Sequence, residues 1–389
     1  MSATRPRIVI AAGGTGGHLF PGIAVAEALR ARGVTDVLFV SAGKGNWREA
    51  LDGAGMRWRA LPVRGFGRRP SFAHLAFPFR LLAGLVLSFA LLLAFRPAAV
   101  VGTGGYVSGP VVAMAWLLGL PVLLLEQNSL PGVATRIASR FAREIHLAYP
   151  GSEAHLPPSA RPRARMTGNP IRAGVLSVTR AGACASLGLR DDLPTLFLLG
   201  GSQGARALNR ALYDALAASA TSNAADPAGW ASRLQVIAQT GASDELDWSR
   251  VESGAARLVA RPFFHDVGVP YAAADLLVCR AGATTLAEVT ALGKPAILVP
   301  FPFAAADHQA HNAADMARAG AAIAIPESEF TPARLEREVT ALLQDEGKRA
   351  AMAAASSALG RPQAAEHVAE AIMGLVERRG NTWNESARS

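Results

Sequence analysis

Twice the chain sets an apolar run directly ahead of a cluster of glycines and a helical pattern. "RIVIAAGGTGGHLFPGIAVAEAL" places Ile8–Ala11 before Gly13, Gly14, Gly16 and Gly17, and "TLFLLGGSQGARALNRAL" places Leu196–Leu199 before Gly200, Gly201 and Gly204. A buried strand that turns through glycines into a helix is how a doubly wound α/β domain begins. In such a turn backbone N–H groups point into open space at a helix N-terminus, an arrangement that suits phosphate. Two such openings in 389 residues, half of them apolar, predict two cored domains.

The rest of the sequence repeats that pattern. "DVLFVS", "AAVVGT", "PVLLLEQ" and "EIHLAY" follow in the first half; "LQVIAQT", "ARLVARPF", "ADLLVCR", "PAILVPF" and "AAIAIP" follow in the second. Continuous apolar runs separated by helical stretches predict parallel sheets covered on both faces. The Pro-, Arg- and Gly-rich stretch "PPSARPRARMTGNPIRAG" reads as the connection, with a hinge near residues 165–180. The expected domains are 1–170 and 171–389. Spacing alone leaves open whether the helical tail after Gly360 returns to the first. Cys184 and Cys279 lack metal or redox spacing and read as free cytosolic thiols, and the opening "MSATRPRIVI" shows no signal-peptide cleavage pattern.

The net charge of +9 is unevenly placed. Between Asp52 and Glu126 there is no acidic residue, while Arg57, Arg59, Arg64, Arg68, Arg69, Arg80 and Arg96 lie in that span. Because "FAHLAFPFRLLAGLVLSFALLLAF" lies there too, an anionic membrane surface fits the region better than nucleic acid. The run Leu81–Phe95 is shorter than the ~20 residues that span a bilayer and is read as a buried core helix. Phe72, Leu75, Phe77 and Phe79, set among arginines, are the expected membrane contacts, which makes the association peripheral.

Neither glycine cluster has the spacing of the dinucleotide fingerprint, and no Gly-Lys-Ser/Thr is present, so dehydrogenase and NTPase chemistry are disfavoured. A third glycine turn, Gly102-Thr103-Gly104-Gly105, suggests a second phosphate-bearing ligand near the apolar region. "CRAGATTLAEV" offers another turn ahead of a helix, with Glu288 one turn inside. A carboxylate there can accept the vicinal hydroxyls of a ribose, and Gln309 in "PFPFAAADHQAHNA" can both donate to and accept from sugar hydroxyls. Taken alone, Glu288 would read as a solvated helix carboxylate.

The ordered motifs "GGTGGHLFPGIAVA", "GTGGYVSGP", "EQNSLPG", "TGNPIR", "GGSQGA", "CRAGATT" with Glu288, and "DHQAHNA" resemble glycosyltransferase family 28 over roughly residues 7–320. Its cell-wall members add N-acetylglucosamine to the lipid-linked muramyl-pentapeptide precursor of peptidoglycan. The resemblance implies the GT-B fold: α/β, two doubly wound Rossmann-like domains with a cleft between them. The N-terminal domain would face acceptor and membrane, and the C-terminal domain would bind UDP-N-acetylglucosamine. It implies that Thr15, Gly16 and Gly17 line the cleft near the transferred sugar, that Asn128 lies near the donor sugar, and that Arg172 lies on the nucleotide side. Ser202 would contact phosphate and the backbone at Phe264 would read uracil. Gly282, Ala283, Thr284, Thr285, Leu286, Ala287 and Glu288 would hold diphosphate and ribose, and Gln309 the sugar hydroxyls. The family's usual serine is Ala281 here, and His308 and His311 occupy variable positions, which removes those side chains from the assignment.

The implied reaction is an inverting transfer from UDP-N-acetylglucosamine to the C4 hydroxyl of undecaprenyl-pyrophosphoryl-N-acetylmuramyl-pentapeptide (lipid I), at the cytoplasmic face of the inner membrane. His18 is the candidate general base, since an imidazole titrates near neutrality; the alternative is a structural histidine bonded to the loop backbone. No Asp-x-Asp motif is present, so loop amides, helix dipoles and Arg172 are expected to stand in for a metal, and no cofactor or nucleic-acid partner is expected. The competing enzyme readings are a related UDP-sugar glycolipid glycosyltransferase and a UDP-N-acetylglucosamine epimerase. Outside enzymes, a catalytically silent nucleotide-sugar binder would bind UDP without transfer.

Overall fold

The protein is described here by a computed structural model covering residues 6–13, 16–42, 47–63, 77–201, 204–221, 230–231, 233–304 and 307–386. Two compact units emerge: Met1–Arg172 with Arg361–Ser389, and Ala173–Gly360.

In the first unit the elements run β1 (Arg7–Ala11), α1 (Gly16–Ala31), β2 (Asp36–Ala42), α2 (Trp47–Gly53), β3 (Arg57–Leu61), α3 (Phe77–Phe95), β4 (Ala99–Gly102), α4 (Ser108–Leu117), β5 (Val122–Glu126), α5 (Val133–Ala138), β6 (Glu144–Leu147) and β7 (Ala164–Met166). The seven strands are all parallel in the order β3-β2-β1-β4-β5-β6-β7. Ile10 pairs with Phe39 on one side and Val101 on the other. Strand order therefore reverses between β1 and β4; after β1 come Gly13 and, opening α1, Gly16 and Gly17, and after β4 comes the turn Thr103–Gly105.

The second unit contains α6 (Ala173–Leu176), α7 (Arg180–Leu187), β8 (Thr195–Leu199), α8 (Arg206–Thr221), β9 (Gln235–Gln239), β10 (Arg257–Arg261), α9 (Gly268–Ala273), β11 (Leu276–Cys279), α10 (Ala283–Ala291), β12 (Ala296–Leu298), α11 (His308–Arg318), β13 (Ala322–Ala324), α12 (Pro332–Gln344) and α13 (Glu346–Leu359). Its six parallel strands run β10-β9-β8-β11-β12-β13, which reverses between β8 and β11. Here Gly200, Gly201 and Gly204 follow β8, and the turn Arg280–Gly282 follows β11. The chain is thus α/β with two doubly wound Rossmann-like domains, and each of the four glycine turns lies at a point where ligands of such sheets bind.

The tail after Gly360 forms α14 (Ala364–Ser386) and belongs to the first unit. Val368, Ala369, Ile372 and Leu375 recur at helical spacing and join the core built by Ile8, Ile10, Ile23 and Phe39.

The reading of Leu81–Phe95 as a core helix is corrected. Only Gly84, Ser88 and Leu92 of α3 are buried, on one i, i+4, i+8 stripe. A Cβ on Gly84 would lie 2.7 Å from Val63 Cγ2, so that glycine lets the helix dock closely. Its other side is open: Phe79, Leu82, Val86 and Leu93 are exposed. By length and composition α3 is the one helix among the described residues that could cross a membrane. Phe77 is half-buried, whereas Phe72 and Leu75 lie outside the described residues.

Candidate active site

In the first unit the two glycine turns hold each other. Gly13 N–H donates to Gly104 O (3.0 Å) and Thr103 N–H to Ala11 O (2.9 Å). A Cβ on Gly105, at φ +76°, would lie 2.7 Å from Gly13 Cα, so only glycine permits this approach. Buried Ser108 fastens the second turn, accepting from Gly104 N–H and donating to Ala11 O.

His18, in the first turn of α1, rests on that second turn: a Cβ on Gly104 would come within 2.8 Å of its Nδ1. Thr103 Oγ1 donates to His18 O (2.7 Å), and Gln127 Oε1 lies 3.1 Å from His18 Nδ1. Thr103, Gly104 and Gly105, expected with Gly102 to face a phosphate, thus build the seat of the histidine, while Gly102 ends β4 and packs against Leu124 and Val112. Gly17 lies exposed, with nothing within 4 Å of a Cβ placed there. Gly16 is overlaid by the ring of Phe20, 3.0 Å from such a Cβ. Arg172 places its guanidinium 4.8 Å over that same ring, which brings a cation to the helix that carries His18. Its Nε is buried and has no partner among the described residues.

The segment after β5 is folded by Glu126. This buried carboxylate accepts from Asn128 N–H (3.1 Å), Asn128 Nδ2 (3.2 Å) and Gly132 N–H (3.1 Å). Asn128 is therefore held by its neighbour and stands next to Gln127, the residue that reaches His18.

In the second unit Gly201 and Gly204 take positive φ, and a Cβ on Gly204 would meet Thr240 O at 2.4 Å. Asn209 Nδ2 donates to that same carbonyl (2.7 Å) and ties α8 to the end of β9. Thr15 and Ser202 lie outside the described residues.

The turn before α10 is packed from below. Ala281 is fully buried, and Asn312 donates to its carbonyl at 3.2 Å. Gly282 caps α10, and the first turn of that helix, opening at Ala283, presents its N-terminal amides and the positive end of the helix dipole, an arrangement that suits an anion. Leu286 is buried and anchors that first turn; Ala287 follows it in the same helix.

Glu288 is 6% exposed, not the solvated carboxylate that its position on a helix suggests. Tyr271 Oη donates to its Oε2 at 3.0 Å, and the Tyr271 ring packs edge-on against Phe197, 5.6 Å away. Burial, and then the Glu288 charge, pushes the Cys279 thiol up to about 12, which makes it unreactive.

Phe264 is buried against Phe197, and its N–H already donates to Gln239 Oε1 at 3.1 Å. Gln309 Oε1 accepts from Phe301 N–H at 3.0 Å, which leaves its NH2 to offer a sugar. Arg280 braces the same loop, donating to Val299 O and Pro300 O and pairing with Glu327. Among the described residues, no three His, Cys, Asp or Glu side chains are grouped to hold a metal ion.

Gln127 and Tyr271 carry no role in the sequence reading. Gln127 lies one residue beyond the buried strand β5 and next to Asn128, a position the sequence does mark. Tyr271 gave no local signal, because its partner lies 17 residues away on another helix.

Residues 8–147 match the glycosyltransferase family 28 N-terminal domain and residues 195–368 the family's C-terminal domain. The UDP-N-acetylglucosamine–N-acetylmuramyl-(pentapeptide) pyrophosphoryl-undecaprenol N-acetylglucosamine transferase of Desulforudis audaxviator is 39% identical over 377 residues, covering 95% of this chain and 98% of that protein. The chain belongs to glycosyltransferase family 28. A family 28 relative with the same name, from an Anaeromyxobacter species, is 40% identical over 386 residues, covering 98% and 96% of the two chains. The crystal structure of Acinetobacter baumannii MurG superposes with a TM-score of 0.71 at 28% identity, covering 95% of this chain and all of that one.

Proposed function

We propose that this protein transfers N-acetylglucosamine from UDP-N-acetylglucosamine to the C4 hydroxyl of lipid I, giving lipid II for peptidoglycan synthesis. The observation that carries this reading is the placing of all four glycine turns at the two strand-order reversals, in a chain that matches transferases so named along almost its whole length. The first unit takes the acceptor and the second the donor nucleotide.

In the proposed reaction the C4 hydroxyl oxygen bonds to the anomeric carbon as the bond from that carbon to the diphosphate oxygen breaks. Its electron pair leaves with UDP, and the hydroxyl proton passes to His18. The amides opening α10, its helix dipole and Arg172 meet the charge on the diphosphate. Glu288 accepts the ribose hydroxyls, and the NH2 of Gln309 donates to the sugar.

The membrane would be met by α3. Its outer side presents Phe79, Leu82, Val86 and Leu93, and α4, packed against it, adds Trp116 and Leu117. Arg80 and Arg96 stand at the ends of the apolar run, where they suit anionic headgroups. Because one stripe of α3 is docked on Val63 and Pro110, the helix would lie along the surface and not span the bilayer, giving a peripheral association with the cytoplasmic face of the inner membrane.

The test is incubation of the full chain with UDP-N-acetylglucosamine and a lipid I analogue, with the product scored by mass. The disaccharide is expected, with no product on a diacylglycerol acceptor; the reverse would select the glycolipid enzyme. His18→Ala should lower turnover by ~10²–10⁴-fold with UDP affinity nearly constant. Turnover near that of the parent would remove His18 as the base.

A further inference from the structure

Gln127 is 2% exposed, and every polar atom of its side chain is committed. Its NH2 donates to Thr103 O at 2.9 Å and is also directed at Leu125 O, 3.5 Å away. Both partners are main-chain carbonyls and can only accept, which settles the orientation of the amide: nitrogen toward β4 and β5, oxygen toward His18. Since Oε1 can only accept, His18 Nδ1, 3.1 Å away, must carry the proton. In a neutral imidazole the lone pair then belongs to Nε2, which has no hydrogen bond to any described residue.

We infer that Gln127 is a positioning residue that holds His18 as the Nδ1–H tautomer and leaves Nε2 as its basic nitrogen. The inference rests on the base role proposed for His18. When Nε2 takes the acceptor's proton, Nδ1 remains a donor and Gln127 an acceptor, so the bond survives proton uptake without rearrangement. An amide does this without the charge that a carboxylate would add. Thr103 serves the same end from the other side. Its carbonyl orients Gln127, and its hydroxyl holds the backbone of His18, so ring and amide are referred to one residue of the second glycine turn. Gly13, Gly104, Gly105 and Gln127, none of them titratable, lie against the ring, and the Glu126 carboxylate is turned to Asn128 and Gly132.

The experiment is nitrogen NMR of the full chain labelled at histidine, with the His18 signal identified by its loss in His18→Gln. The parent protein should show protonated Nδ1 and unprotonated Nε2 at neutral pH. Gln127→Leu removes the acceptor and should shift the tautomer ratio by about 2- to 12-fold toward Nε2–H, the range of one neutral hydrogen bond. kcat should fall in step with the measured fraction of the Nδ1–H form, with KM for UDP-N-acetylglucosamine unchanged. Gln127→Glu keeps an acceptor and should retain the tautomer. It should also move the acidic limb of the pH–rate profile to higher pH, since an anion favours the imidazolium.

An Nε2–H tautomer in the parent protein would overturn the inference without recourse to any variant. So would an unchanged tautomer in folded Gln127→Leu. A shifted tautomer with undiminished kcat would uphold the positioning role and refute the base role of His18, so the two readings fail separately.

Discussion

Replacing Phe79, Leu82 and Val86 together by serine tests the membrane face without touching the proposed chemistry. These side chains are 76%, 60% and 58% exposed. Their exposed parts amount to about two whole apolar side chains, each worth about 1.5–3 kcal/mol on leaving water. The bound state therefore loses about 3–6 kcal/mol, a factor of roughly 10² to 10⁴ in partitioning onto vesicles. Arg80 and Arg96 are retained, so any residual binding should need anionic lipid and fade as salt rises. Because the three side chains face outward, the melting temperature and turnover on a soluble acceptor analogue should hold. Leu92→Ala, at a side chain 1% exposed on the docked stripe of the same helix, should instead cost about 2–5 kcal/mol of stability. Co-sedimentation with anionic and zwitterionic vesicles, beside melting curves, is the assay. Undiminished binding by a folded triple variant would refute the membrane contact, and a triple variant that unfolds would refute the outward placing of that face.

Glu288→Gln keeps an acceptor for Tyr271 but offers the ribose a neutral oxygen, so UDP affinity measured by calorimetry should fall roughly 5- to 30-fold while acceptor affinity holds. Equal loss for both ligands would point to a structural role. Gly104→Ala strains a residue at φ +101° and drives its Cβ into His18. About 1–2 kcal/mol of stability should be lost, with turnover falling further than that loss explains and KM for the donor unchanged. Burial, only partly opposed by Glu144, pushes the His146 imidazole below its ordinary 6.5. The unfolded chain therefore takes up the proton first on acidification, so this stabilisation is complete above that value and is lost as pH falls below it. Melting temperatures between pH ~7 and ~5 should fall more for the parent than for His146→Gln. Parallel curves would show that His146 does not contribute.

Of the thirteen strands, eleven announce themselves as apolar runs; nine of these are interior to a sheet, and β10 and β13 are the edges of the second. β3 and β7, the edge strands of the first sheet, do not. "RWRAL" and "ARM" are largely open to solvent and carry arginine where a central strand would carry valine. α3 misled for the opposite reason: composition reports that a segment is apolar but not what covers it, and only three of its residues are buried. In the site, glycines were legible since their spacing encodes a backbone requirement that no other residue meets. The supports were not. Gln127 and Tyr271 act through partners brought in by other segments, Glu126 through the backbone of the loop that follows it, and an isolated Gln, Tyr or Glu has no periodicity to betray it.

The return of α14 to the first unit bears on how the chain is made. Residues 173–360 form a contiguous insertion within that unit, so they can complete their sheet as soon as they leave the ribosome. The first unit cannot, although it is synthesised first. The apolar stripe of Val368, Ala369, Ile372 and Leu375 is part of the same core as Ile23 and Leu29 of α1, and it emerges only after the whole second unit. Until then that face of α1 stays uncovered on the nascent chain, as a place for a chaperone to hold or another chain to stick. A chain cut short between Gly360 and Ala364 would carry a finished second unit joined to an unfinished first one.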